Sequence, residues 1–127
     1  EVVRCLSSSK IVFTGGLSPG QSTNATAALI AERTKAKLFI NATDVDGVFT
    51  SDPRKNKNAK LIKSITTKNL LSKVVDDKMS AGTYDLMDLL SLKIIERSKI
   101  PTIVIKCDSG RIKSAISGKS KGTKITS

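Results

Sequence analysis

The sequence has 127 residues, 39% of them apolar, and carries 22 Lys and Arg against 11 Asp and Glu, a formal charge of +11 with no His. That length suits one domain able to bury roughly 65–70% of its unfolded surface, and without His neither His-based triads nor His metal sites can form. Aromatics are 3% and Trp is absent, so the core must come from Ile, Leu, Val and Ala, as in parallel sheets covered by helices, whereas nucleic-acid surfaces usually interleave stacking aromatics among their cations.

The β-branched run Lys10 to Thr14 (KIVFT) predicts a buried strand, stopped by Gly15 and Gly16. A Gly-, Pro- and Ser-rich loop, GGLSPGQSTN, leads into a helix expected from about Thr23 to Lys35 with Ser22 or Thr23 as its N-cap. Ala25, Ala27, Ala28 and Ala31 are small enough to let that helix lie close to a sheet. Lys37 to Ala42 predicts a second strand, completing a right-handed βαβ unit. Residues 54–63 read as a basic surface excursion with a short strand near Leu61, and Thr66 or Thr67 should cap a short helix through Lys73. Asp76 to Thr83 is polar and loop-like. From Tyr84 to Lys99 the apolar residues Leu86, Leu89, Leu90, Ile94 and Ile95 recur at helical spacing, and Pro101 follows. Thr102 to Lys106 (TIVIK) predicts a third buried strand, Arg111 to Ser117 a short helix, and Thr123 to Thr126 a last edge strand. There is no internal repeat and no apolar run of membrane-spanning length, and the opening residues are not expected to be a signal peptide. Cys5 and Cys107 lack metal-site spacing and are expected to be free thiols in a reducing, cytoplasmic setting. The positive excess suits a solvated surface or the attraction of phosphate-bearing ligands.

Two segments carry chemistry. The loop between Thr14 and Asn24 joins a strand to a helix, where successive N–H groups and the positive helix end can hold an anion; a plain Gly-Pro-Gly surface turn is equally compatible with it. The stretch FINATDVDGVFTSDP is more specific. It is a strand ending in a turn with Asp44, Asp46 and Asp52, the way α/β proteins build a nucleotide pocket. One reading makes Asp44 and Asp46 turn formers bonding their own backbone; in the other, Thr43 and Asp44 finish the strand, Phe49 offers a flat apolar contact to a base or ribose, and Asp52 accepts hydrogen bonds. An EF-hand is excluded, since Ala42 and Pro53 would take its first and last ligand positions. Asp88 stands alone within LMDLLSL, either a helix-start group or a positioned carboxylate. Gly118-Lys119-Ser120 is no phosphate-binding Walker loop, because Lys113 occupies the required first Gly and a helix precedes it. The Asn24 and Asn41 sequons have no meaning in a cytosolic chain.

The blocks FTGGLSPGQSTNATAALIAE, INATDVDGVFTSDPRKNKNAKLI, SAGTYDLMDLLSLKIIERSKIPTIVI and GKSKGTKIT together resemble the amino acid kinase superfamily, and within it the C-terminal half of the archaeal-type UMP kinases (uridylate kinases). The second block is similar in aspartokinases, which lack AGTYDLMDLL. The resemblance implies a three-layer α/β/α fold with a largely parallel sheet. It implies transfer of the ATP γ-phosphoryl group to UMP with Mg²⁺ in pyrimidine nucleotide synthesis. By position it implies UMP contacts from Gly16, Leu17, Ser18, Pro19, Gly20, Gln21, Ser22 and Thr23. It likewise implies ATP contacts from Thr43, Asp44, Phe49 and Asp52, and a catalytic Asp88. Asp44 stands where archaeal members often carry Asn, and Asn24 where bacterial members carry Asp. The first Gly-rich loop and catalytic Lys belong to the N-terminal half of such enzymes, so residues 1–127 are expected to be an ATP-binding portion with part of the UMP loop, inactive alone, and homohexameric in the whole enzyme. Two further readings stay open: another amino acid kinase such as aspartokinase, and a non-catalytic basic domain that binds nucleic acid.

Overall fold

Parallel and antiparallel pairing meet in one four-stranded sheet in this computed structural model, which describes residues 11–76 and 86–127. The strands are β1 (Phe39–Thr43), β2 (Ser64–Thr66), β3 (Thr102–Lys106) and β4 (Thr123–Thr126), in spatial order β1-β3-β4-β2. β1 runs parallel to β3, with Phe39 opposite Thr102 and Thr43 opposite Lys106; β4 runs parallel to β2 and antiparallel to β3. The helices are α1 (Thr23–Arg33), α2 (Thr67–Asp76), α3 (Leu89–Ser98) and α4 (Ser109–Ile116).

The sheet separates two apolar layers. Phe39, Val104 and Ile125 point into the larger core, with Ala28 and Ala31 of α1, Leu70 and Val74 of α2, and Leu92, Ile94 and Ile95 of α3. Ile103 and Ile105 point the other way, against Ala115 and Ile112 of α4. Alternation along β3 thus feeds both faces, and TIVIK is almost wholly buried because each face has its own helix. The result is the expected three-layer α/β/α arrangement. α1 leans mainly on α3 and only secondarily on β1, so its alanines admit a neighbouring helix more than the sheet. Arg97 of α3 also grips Glu32 of α1 through two hydrogen bonds of 2.8 and 2.7 Å.

Local chemistry sets the helix limits. Ser22 caps α1 by accepting the Ala25 N–H, Asp88 caps α3 through Ser91, and Asp108 caps α4 through Arg111. The Thr66 hydroxyl accepts the Asn69 N–H at the start of α2. Among the described residues no helix is long and apolar enough to cross a membrane.

Three expectations need correction. Ile11 to Thr14 form no strand; Ile11 is 74% and Phe13 94% exposed. A strand requires a hydrogen-bonding neighbour, and no described strand lies beside this run, so the first half of the anticipated βαβ unit is missing. β4 is no edge strand, since β3 and β2 flank it. The helix anticipated from Tyr84 starts at Leu89, because Asp88 takes the extended cap conformation (φ −77°, ψ 160°) and leaves Leu86 and Met87 buried ahead of it. Cys5, Lys10, the 77–83 part of the polar loop and the 84–85 start of that helix lie outside the described residues.

Candidate functional site

The site gathers where β1 and β3 end side by side. Thr43 closes β1, and its carbonyl accepts the Cys107 N–H at 2.6 Å, fixing the ends of both strands together. The Thr43 hydroxyl accepts the Val45 N–H at 3.3 Å and donates to the Asp44 carboxylate at 3.1 Å. The chain then passes through Gly47, whose φ of +153° is a conformation that L side chains rarely adopt; a Cβ there would come within 2.6 Å of the Thr123 hydroxyl. After the turn Val48–Thr50 runs back along Lys60–Ile62: Thr50 N–H donates to the Lys60 carbonyl, Ile62 N–H to the Val48 carbonyl, and Phe49 bridges Leu61. The anticipated short strand near Leu61 is this single bridge.

Thr123 anchors the turn from β4. Its buried hydroxyl accepts the Val48 N–H at 2.8 Å and donates to the Ile62 carbonyl at 2.6 Å. The preceding Gly122 is packed so tightly against the Val104 carbonyl that a Cβ has no room. Neither contact is legible locally, because the partners lie on different strands.

The turn, Arg54 and Lys106 enclose an open cleft of about 250 Å³, lined by Asp44, Phe49, Pro53 and Arg54 among others. Arg54 approaches Asp44 at 3.4 Å and Asp52 at 3.9 Å. The Asp52 carboxylate accepts the Arg54 N–H at 3.0 Å and is largely covered. Asp46, read as a turn former, instead pairs at 2.8 Å with Arg111 of α4. Two cations, Lys106 and Arg111, thus reach this end of the sheet; their positions as the last residue of β3 and in the first turn of α4 were the signal available in the sequence. Among the described residues no cluster of His, Cys, Asp and Glu could hold a metal ion. Asp44, Asp46 and Asp52 each face an Arg, so these carboxylates do not fit a resident metal site.

A second cluster adjoins α1. Loop residues 16–20 are exposed, and Gly20 has φ +80°, while the Gln21 N–H closes a turn onto the Ser18 carbonyl at 3.2 Å. Ser22 caps α1 and donates to the Asp88 carboxylate in a short hydrogen bond. Thr23 begins the helix and is exposed. Partial burial pushes the Asp88 carboxyl up, but hydrogen bonds from Ser22 and Ser91 outweigh it and hold the group below its ordinary range. The Leu86 carbonyl ties β1 to α1, accepting from buried Asn41 of β1 at 2.6 Å and from Asn24 of α1 at 3.0 Å. The structure therefore joins Ser22 to Asp88 and places Asp44, Phe49 and Arg54 in one cleft; Asp52 meets Arg54, and Thr43 meets Asp44, from outside its lining.

Residues 1–106 match the Amino acid kinase family. A uridylate kinase of Sulfurisphaera tokodaii is 46% identical over 128 residues, covering 98% of this chain and 56% of that protein. Among solved structures, the uridylate kinase of Archaeoglobus fulgidus superposes with a TM-score of 0.75 at 43% identity, covering 88% of this chain and 50% of the other. The UMP kinase of Bacillus anthracis gives 0.78 at 27% identity, covering 98% and 49%. The chain spans about half the length of the relatives it matches. With its fold, its strand-end cleft and this match in hand, the chain belongs to the amino acid kinase family.

Proposed function

We propose that residues 1–127 are the ATP-binding portion, with part of the acceptor loop, of a cytoplasmic UMP kinase working in pyrimidine nucleotide synthesis. A UMP phosphate oxygen attacks the γ-phosphorus of ATP, the bond to the β-phosphate oxygen breaks, and UDP and ADP result. The observation that carries this reading is the cleft at the ends of β1 and β3, where an aromatic face, two carboxylates and two cations converge. The names of the relatives supply the substrate pair.

In this reading Phe49 packs on the adenosine, Thr43, Asp44 and Asp52 direct its polar groups, and Arg54 and Lys106 offset phosphate charge. The loop from Gly16 to Thr23 receives UMP at the positive end of α1, through its unbonded N–H groups and side chains; Pro19 has no N–H and that of Gln21 is bonded to Ser18. Asp88, the catalytic candidate, is tied to Ser22 at the end of that loop, so its charge is fixed against the acceptor. Phosphoryl transfer depends on such alignment more than on covalent help. Mg²⁺ accompanies ATP on its phosphates and neutralises charge there; the described carboxylates supply no cage for it. The enzyme assembled from both halves is a homohexamer, and this chain alone binds nucleotide without turning it over.

Calorimetric titration with ADP, alongside a coupled assay for ADP release from ATP and UMP, tests the reading. Binding of ADP that Phe49→Ala weakens, with no turnover by this chain alone, is the expected pair of results. Absence of ADP binding, or turnover with aspartate in place of UMP once the other half is supplied, would overturn it.

A further inference from the structure

Two strongly basic stretches of the chain contain no acid. Residues 54–75 carry seven Lys and Arg, and residues 109–127 carry five, together over half of the 22 in the sequence. Sequence alone keeps them apart. The parallel pairing of β2 with β4 sets them side by side, with Ser64 opposite Lys124 and the Lys124 N–H donating to the Lys63 carbonyl at 3.0 Å.

Where they meet lies a cavity of about 530 Å³ lined by Lys63, Lys121 and Lys124, by Ser64 and Ser120, by Gly122 and by one apolar residue, Leu61. That volume falls within the range of small-molecule sites. It shares no lining residue with the Asp44–Arg54 cleft. Among the described residues none of its three lysines is in an ion pair; the four pairs found all lie elsewhere. The Ser120 hydroxyl accepts the Gly122 N–H at 3.1 Å, which leaves its proton free to donate. Gly122 is locked by its approach to the Val104 carbonyl, so the loop bearing Ser120 and Lys121 is held in place. Three lysines and two serines thus line one hollow that has no carboxylate in its lining, although Lys124 also borders the neighbouring cavity beside Ile103 and Ala115; like charges so placed repel one another and favour a polyvalent anion between them.

We propose that this cavity between the start of β2 and the 120–124 segment is a second anion site, for a small ligand bearing two or more adjacent phosphate groups. Ammonium groups serve such a ligand as point charges, and the Ser hydroxyls add directed hydrogen bonds. The site does not depend on the kinase reading.

The probe is sodium tripolyphosphate, titrated into the isotope-labelled full chain at about 150 mM salt, where only close charge contacts survive screening. Saturable amide shifts at Ser64, Ser120, Lys121 and Gly122 are expected. The Lys63→Gln/Lys121→Gln double variant should bind about tenfold more weakly with an unaltered spectrum elsewhere. A Lys55→Gln/Lys57→Gln variant, drawn from the same acid-free stretch but outside the cavity, should bind as the parent does. Shifts confined to the Asp44–Arg54 cleft would overturn the proposal, as would equal weakening in both double variants, which would mean diffuse charge attraction only. Binding of an RNA oligonucleotide with sensitivity at Lys63 and Lys121, without tripolyphosphate binding, would overturn it too.

Discussion

The Ser22 hydroxyl donates to the Asp88 carboxylate across 66 positions of sequence, so that the N-cap of α1 is bonded to the N-cap of α3. One acid thereby fixes the starts of two helices that pack on each other, and the end of the exposed 16–22 loop is secured at the same point.

Replacing Asp88 should therefore cost more than an ordinary cap. Asp88→Ala is expected to lower unfolding free energy by about 1–2 kcal/mol, from the loss of the Ser91 cap and of the Ser22 partner. Asp88→Asn, an equally good cap, should recover most of it. The pH dependence has a definite sign. The folded carboxyl titrates below its usual 3.8, so its contribution is complete above the unfolded value and disappears as pH falls through the folded one. Urea unfolding from pH 7 to pH 3 should show a constant gap between parent and Asp88→Asn above about pH 5, shrinking in acid; a gap that widens in acid would contradict the assignment.

Asn41 is buried in β1 and donates to the Leu86 carbonyl. Asn41→Ala should destabilise by about 1–3 kcal/mol, because a buried polar contact is lost and a small void remains. Since that carbonyl also accepts from Asn24, the double variant Asn24→Ala/Asn41→Ala should lose more than the sum of the singles, measurable by a thermal unfolding cycle.

Thr123→Val preserves shape but removes both hydrogen bonds that hold Val48 and Ile62. A loss of about 1–3 kcal/mol is expected, with weaker ADP binding because the Phe49 strand loses its anchor. If calorimetry finds stability reduced and ADP affinity unchanged, the anchor serves the fold alone.

At Gly47 and Gly122 the expectation is steric. Gly47→Ala combines a rarely allowed φ with contact against Thr123, and Gly122→Ala forces a methyl onto the Val104 carbonyl and the Ile105 side chain. Each should lower the melting temperature by several degrees for a chain of this size, as a loss of about 1 kcal/mol or more would. Gly122→Ala should be the worse, since backbone of β3 must move.

Arg54 is half exposed and its pairs with Asp44 and Asp52 are long. Arg54→Ala should change stability by less than about 0.5 kcal/mol while weakening ADP binding several-fold, as two carboxylates are left facing the phosphates. An equal or tighter complex in calorimetry would remove Arg54 from the proposed site.

Much of this was local and therefore legible in the sequence. TIVIK spans β3 and TKIT spans β4 as read, because continuous β-branched runs bounded by turn residues carry their own signal. Ser22 and Thr66 cap their helices as their hydroxyls suggest, and the strand-turn character of 39–53 and the family blocks pointed to one end of one sheet. What the tertiary structure decided was everything that needs a partner from elsewhere in the chain. KIVFT has strand composition but no described neighbour, so its run from Ile11 stays unpaired. TKIT sits inside the sheet because β2 arrives on its outer side. Asp46 became an ion-pair partner through α4, and Asp88 was fixed as a cap bound to Ser22 by the packing of α3 on α1. Side-chain periodicity and capping are set within a few residues, whereas strand order, ion pairing and the convergence of two acid-free stretches on one cavity depend on distances through space that no local pattern encodes.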